Sequence, residues 1–175
     1  MKKMIAIALL MLLTTAASVQ AAEIAIVHSM RAISESKAGQ QINDEIKKKQ
    51  AAYESEVKGQ QQKVQSLQNR LKQMRTQYQS GMIKEEQFRK TQQELASAGA
   101  QLNVLGEMSS VNFKKDVKKL QAPIYKLFSD VLAEYAREKG YDAVIDVARG
   151  GVAYGSKSID ITDVIIKEMD NRWKK

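Results

Sequence analysis

The side chains that most often carry chemistry are scarce in this chain. His28 is the only histidine and there is no cysteine, so the sequence offers neither a thiol nucleophile nor a Cys/His metal set. The acids Asp142, Asp146, Asp160 and Asp163 lie close together and raise the question of paired carboxylates for acid/base work. Their positions beside short apolar runs fit better with starting or capping elements, and the Asp160 to Asp163 spacing is that of a helix start. Gly150-Gly151 is too short for a phosphate-cradling loop and lacks the GxxxxGK-S/T context. The reading is therefore a protein that is not an enzyme and takes no cofactor or metal, with any activity residing in its surfaces.

Those surfaces are basic. The chain carries a formal net charge of +8. Lys47, Lys48, Lys49, Lys58, Lys63, Arg70, Lys72 and Arg75 give one long segment a basic bias, and Lys114, Lys115, Lys118 and Lys119 a second. Either these are solvated faces that keep the chain soluble, or they attract acidic partners over a distance. Apolar residues placed off the main periodic stripe are the other candidates. Val104, Met108 and Val111 form one such group, or mark a stripe changing register; Tyr78, Met82 and Ile83 form a second at a turn, which could equally pack on itself.

The first residues set the compartment. Lys2 and Lys3 precede an apolar run from Met4 to Leu13 and a small-residue stretch ending Val19-Gln20-Ala21. This is the pattern of a secretory signal peptide over residues 1–21, cleaved near Ala21. The run is shorter than the roughly 20 residues a membrane-spanning helix needs. The expected location is outside the cytoplasm, where a basic chain meets little nucleic acid; unfolded acidic proteins and anionic lipid headgroups become the candidate partners. Without the signal lysines the formal charge is about +6.

The elements that must position these surfaces follow from periodicity. Glu23–Ser29 is a short Ile/Val-rich run and predicts a strand, and Met30–Ser36 a short helix. From about Lys37 to Ser80 a heptad sets in, with Gln50, Val57, Val64, Leu71 and Tyr78 at one seam position and Ile46, Tyr53, Gln60, Leu67 and Met74 at the other. Gly81 is a helix stop. A second helix, from about Lys84 to Lys139, repeats the heptad with Phe88, Leu95 and Leu102 beside Thr91, Ala98 and Leu105. Folding back at Gly81 superimposes the two seams, with Met74 opposite Phe88, Leu67 opposite Leu95, Val64 opposite Ala98 and Val57 opposite Leu105. An antiparallel helical hairpin about 60 Å long is the strongest expectation from pattern.

Three features interrupt that regularity. Gly59, Gly99 and Gly106 fall at one height of the hairpin, next to polar layers in which Gln60 faces Leu102 and Gln50 faces Asn112. Each interior glycine costs about 1 kcal/mol of helix preference, so these three are hinge candidates. The return seam skips one residue before resuming at Phe113, Val117, Leu120, Ile124, Leu127 and Val131. Pro123 is expected to kink or break the helix where it enters a compact body. After Gly140 the sequence predicts strands at Asp142–Val147 and Val152–Gly155, joined as a hairpin, and an amphipathic helix from near Thr162 with Ile161, Val164, Ile165 and Met169 inside.

The expected division is 22–37 with 123–175 as a β/α body and 38–122 as the hairpin. The fold class is α+β: a small β body carrying a long antiparallel coiled-coil hairpin. So small a body, with open strand edges, calls for oligomerisation. The segments IAIVHSMRAISES, KGYDAVIDV and AYGSKSIDITDVIIKEM, in that order, resemble the Skp (OmpH-like) family of periplasmic chaperones. The resemblance covers essentially the whole mature chain. It carries Ile24–Val27, Tyr141–Val147 and Ile159–Thr162 as structural body motifs and no single client-contact residue. It implies a homotrimer whose three tentacles surround a cavity. It further implies an ATP-independent holdase that keeps unfolded outer-membrane β-barrel proteins from aggregating before membrane insertion. The alternative is a non-catalytic coiled-coil adaptor of the cell envelope with one fixed partner.

Overall fold

The computed structural model describes residues 22–174, so the expected signal peptide lies outside the described residues. Strand β1 (Ile24–Val27) leads into a short helix α1 (Ser29–Glu35), then the long helices α2 (Lys37–Gln79) and α3 (Glu85–Lys139). Strand β2 (Ala143–Asp146), two 3-10 turns (Val147–Arg149 and Lys157–Ile159) and helix α4 (Thr162–Arg172) complete the order.

The heptad residues form the hairpin. Helices α2 and α3 pack along their length, closed by a turn in which Gly81 takes φ +70° and Met82 N–H donates to the Gln77 carbonyl at 2.8 Å. The left-handed φ explains why glycine stops the helix there. No Ser, Thr, Asp or Asn caps α3; the Gln87 side chain accepts the Lys84 N–H at 3.3 Å, and Glu85 and Glu86 occupy the first turn. The layers at the tip differ from the expected pairing of Met74 with Phe88. Phe88 stacks on Tyr78, with centroids 5.3 Å apart and planes 4° off parallel, and Met74 Sδ accepts from Thr91 Oγ1 at 3.3 Å.

The body is a two-stranded parallel sheet covered by helices. Ile24 pairs with Ala143 and Val27 with Asp146, so the whole hairpin is the crossover between the strands. Ala25, Val27, Ala32, Ala38, Ile42, Ile124, Val131, Ile161, Ile165 and Met169 make one buried cluster, and Phe128, Leu132 and Tyr135 pack against it. The feet of α2 and α3 are thus anchored in the same core as the sheet. Ser36 ends α1 and caps α2, its hydroxyl accepting from Gly39 N–H at 3.2 Å and donating to Ile33 C=O at 3.1 Å.

Three further expectations are corrected. Val152–Gly155 is not a strand and does not form a hairpin with β2: Gly150 and Gly151 adopt φ +86° and +97° after a 3-10 turn. The chain then passes across Ile26 and returns to bridge it at Asp160. A hairpin needs strands that diverge directly from a tight turn, whereas Asp146 accepts the Ala148 N–H and winds the chain away. Pro123 does not break the helix, which continues to Lys139. Pro123 and Lys119, whose carbonyl loses its helical partner, both lie on the exposed face, where water can replace the missing bond. Val164 is 38% exposed, and Ile166 packs on the core in its place.

Candidate functional site

The four aspartates that raised the question of catalysis are held in structural bonds. Asp142 accepts the Glu23 N–H at 2.8 Å and so ties the start of β1 to the entry of β2. Asp146 accepts Ser29 Oγ at 2.6 Å and Ser29 N–H at 3.2 Å, fixing the start of α1. Burial pushes its carboxyl up, but these bonds, the Ala148 N–H and Arg149 together outweigh burial and hold it below the usual carboxylate range. Asp160 is likewise raised by burial and lowered further by the Thr162 hydroxyl and N–H, with Arg31 and His28 adding to the lowering. Asp163 pairs with Arg31. His28 is exposed and contributes its backbone N–H to Thr162 Oγ1 at 2.9 Å. Among the described residues no group of three His, Asp or Glu side chains is placed to hold a metal.

The helical arms present a different kind of surface. Val104, Met108 and Val111 lie four and three residues apart and are 55%, 57% and 65% exposed, while the seam residue Ser109 between them is buried. They form an apolar stripe on α3 turned away from α2, distinct from the seam. At the tip Met82 is 73% exposed, Ile83 is half-buried, and Tyr78 is 39% exposed with its ring committed to Phe88. The tip therefore packs partly on itself and leaves Met82 as its free apolar end. Lys47, Lys48, Lys58, Lys63, Arg70, Lys72 and Arg75 on α2, and Lys114, Lys115, Lys118 and Lys119 on α3, are all exposed.

Lys49, also exposed, differs in being paired across the hairpin. Its Nζ lies 2.7 Å from Asp116 Oδ2, which also accepts from Tyr53 Oη at 3.2 Å, and Tyr53 meets Phe113 edge-on. This clasp ties α2 to α3 near the body, and sequence reading missed it; the hairpin register, which sets Lys49 near Asp116, was the signal available. The polar layer at Gln60 is also a cross-link, its Nε2 donating to the Ala98 carbonyl at 3.0 Å rather than facing Leu102 unbonded. Gln50 bonds Glu54 on its own helix at 2.8 Å. At Gly59, Gly99 and Gly106 an added Cβ would meet nothing within 4 Å, so no packing requirement explains glycine there. The body also leaves apolar groups open, with Tyr154 88%, Ile24 43% and Ile145 42% exposed.

Comparison with known proteins adds two findings. Residues 23–169 match the model of the family described as outer membrane protein (OmpH-like). The fold is similar to that of a Caulobacter crescentus CB15 protein described as a candidate OmpH-like outer membrane chaperone. The TM-score is 0.77 at 17% sequence identity, over 89% of this chain and 88% of that one. A search of curated proteins finds no match. No described helix is long and apolar enough to cross a membrane.

Proposed function

Because this chain belongs to the OmpH-like family of outer membrane proteins, we propose that it is a periplasmic chaperone. It acts as a holdase without ATP, keeping unfolded outer-membrane β-barrel proteins from aggregating before their insertion. Residues 22–37 and 123–175 form its β/α body and 38–122 its tentacle. The observation that carries this reading is an apolar stripe, Val104, Met108 and Val111, exposed on a long arm whose other exposed positions are largely polar and basic. Exposed apolar groups of that kind are what a captured unfolded chain needs, while the charged surroundings keep the empty arm soluble. The fold likeness to the Caulobacter protein described as a candidate OmpH-like outer membrane chaperone is in keeping with this role.

Three protomers would set three such arms around one space. The exposed Ile24, Ile145 and Tyr154, together with an edge of β2 that no other described strand pairs, favour association through the body. The basic arms would draw in acidic clients, and anionic lipid headgroups are a second class of partner for the same charge. The test is to dilute a urea-unfolded β-barrel membrane protein into buffer with the mature protein and no nucleotide. Suppressed aggregation is the expected result. Unchanged aggregation, together with one stoichiometric folded partner, would instead support the envelope adaptor.

A further inference from the structure

With no cysteine in the chain, the thioethers of methionine are its only sulfur and its most readily oxidised side chains. The five methionines among the described residues fall into two classes. Met169 is fully buried in the body, and Met74 sits half-buried in the hairpin seam with its sulfur occupied by the Thr91 hydroxyl at 3.3 Å. Met30, Met82 and Met108 are 62%, 73% and 57% exposed. Met82 is the free apolar end of the tip, and Met108 stands between Val104 and Val111 in the stripe. The methionines that hold the fold together are thus shielded, and two of the three open ones lie where a client would pack.

We propose that Met82 and Met108 are oxidation sites through which a peroxide weakens client capture and leaves the fold intact. This rests on the holdase reading. The sulfur lone pair attacks the terminal oxygen of the peroxide, the S–O bond forms and the O–O bond breaks. With hydrogen peroxide the departing hydroxide takes up the proton and leaves as water, so sulfur loses two electrons and the peroxide gains them. The product replaces an adaptable apolar side chain by a polar one. A client segment packed on a sulfoxide must strip water from it without offering a hydrogen bond in return, which costs affinity. The sulfoxide is reducible by methionine sulfoxide reductases, so the change is reversible.

The test treats the folded mature protein with dilute hydrogen peroxide and maps the modified residues by mass spectrometry. Met30, Met82 and Met108 are expected to oxidise before Met74 and Met169, with the thermal unfolding midpoint unchanged. Aggregation suppression, scored against the same protein untreated, should fall by roughly fivefold, the size expected for burying unpaired polar groups. A reductase should restore it. A M82L/M108L variant, scored against its own untreated sample, should lose little, since only Met30 remains open to the oxidant. Early oxidation of Met74 or Met169, an undiminished suppression after oxidation, or an equal loss in the double variant would each overturn the proposal. If the untreated protein suppresses nothing, the holdase reading has failed, and the peptide map still decides the order of oxidation.

Discussion

Gly39 shows how one residue can be fixed by a close approach that its neighbours conceal. It lies in the first turn of α2, and a Cβ added there would sit 1.7 Å from the carbonyl oxygen of Ile33 in α1. Alanine would gain about 1 kcal/mol of helix preference over glycine, but relieving the overlap means moving α1 off α2, at about 1–3 kcal/mol or more. The clash wins, so G39A should lower the urea midpoint of unfolding; an unchanged or raised midpoint would refute the close packing of α1 on α2. Asp116 has a consequence for pH. Its hydrogen bond to Lys49 holds its carboxyl below the usual range; burial partly opposes this and Tyr53 adds to it. A carboxylate with a depressed folded pKa stabilises the fold above its unfolded value, about 3.9, and loses that contribution as pH falls through the lower folded value. The difference in thermal midpoint between the natural protein and D116N should therefore be constant from neutral pH down to about 5 and shrink below about 4. A difference that stays constant throughout the acid range would mean the clasp does not form in solution.

Among the elements, the two long helices were legible because a heptad repeats the same information in every turn, and Gly81 and Gly140 punctuate it. The strand pairing was not. β1 and β2 meet across the whole hairpin, and the local signal at Ala148-Arg149-Gly150-Gly151 resembles a hairpin turn; only the positive φ of both glycines and the bonds to Asp146 show that the chain turns away. Val164 was misplaced for a related reason, because a short helix of 11 residues leaves the edge of its apolar face undefined until its neighbours are known. The exposed stripe was legible as residues off the heptad, whereas the Lys49–Tyr53–Asp116 clasp needed the pairing of two distant segments. The hinge reading of Gly59, Gly99 and Gly106 belongs to this scale. Because all three sites have room for a methyl group, replacing them together with alanine should stiffen the arm by up to about 3 kcal/mol of helix preference if the effects add. Gln60, bonded to the Ala98 carbonyl beside two of these glycines, would hold the register while the helices bend. Spin labels near the tips should then give a narrower spread of distances in the triple variant. Equal spreads in the two proteins would reduce these glycines to tolerated defects.

The molecule as a whole joins a small anchored body to a basic arm, and each half makes a demand on the assembly. Light scattering of the mature protein at micromolar concentration should give an oligomer, with three protomers the expected number; a stable folded monomer would contradict association through the body. A trimer would carry a formal charge of about +18, whose attraction is screened beyond about 10 Å at 0.1 M salt. Association with an acidic unfolded barrel should accordingly slow as salt rises, and a rate independent of salt would leave the lysines a purely solubilising role. The central claim, that unfolded chains are held along the apolar stripe of the arm, is tested most directly by photocrosslinking. A photoreactive residue placed at position 108 should crosslink an unfolded β-barrel client, and the same residue at Gln62, an exposed polar position on α2, should do so much less. Folding of the client should abolish the crosslink. Equal crosslinking from both positions, or crosslinking of the folded client as strong as that of the unfolded one, would contradict the account.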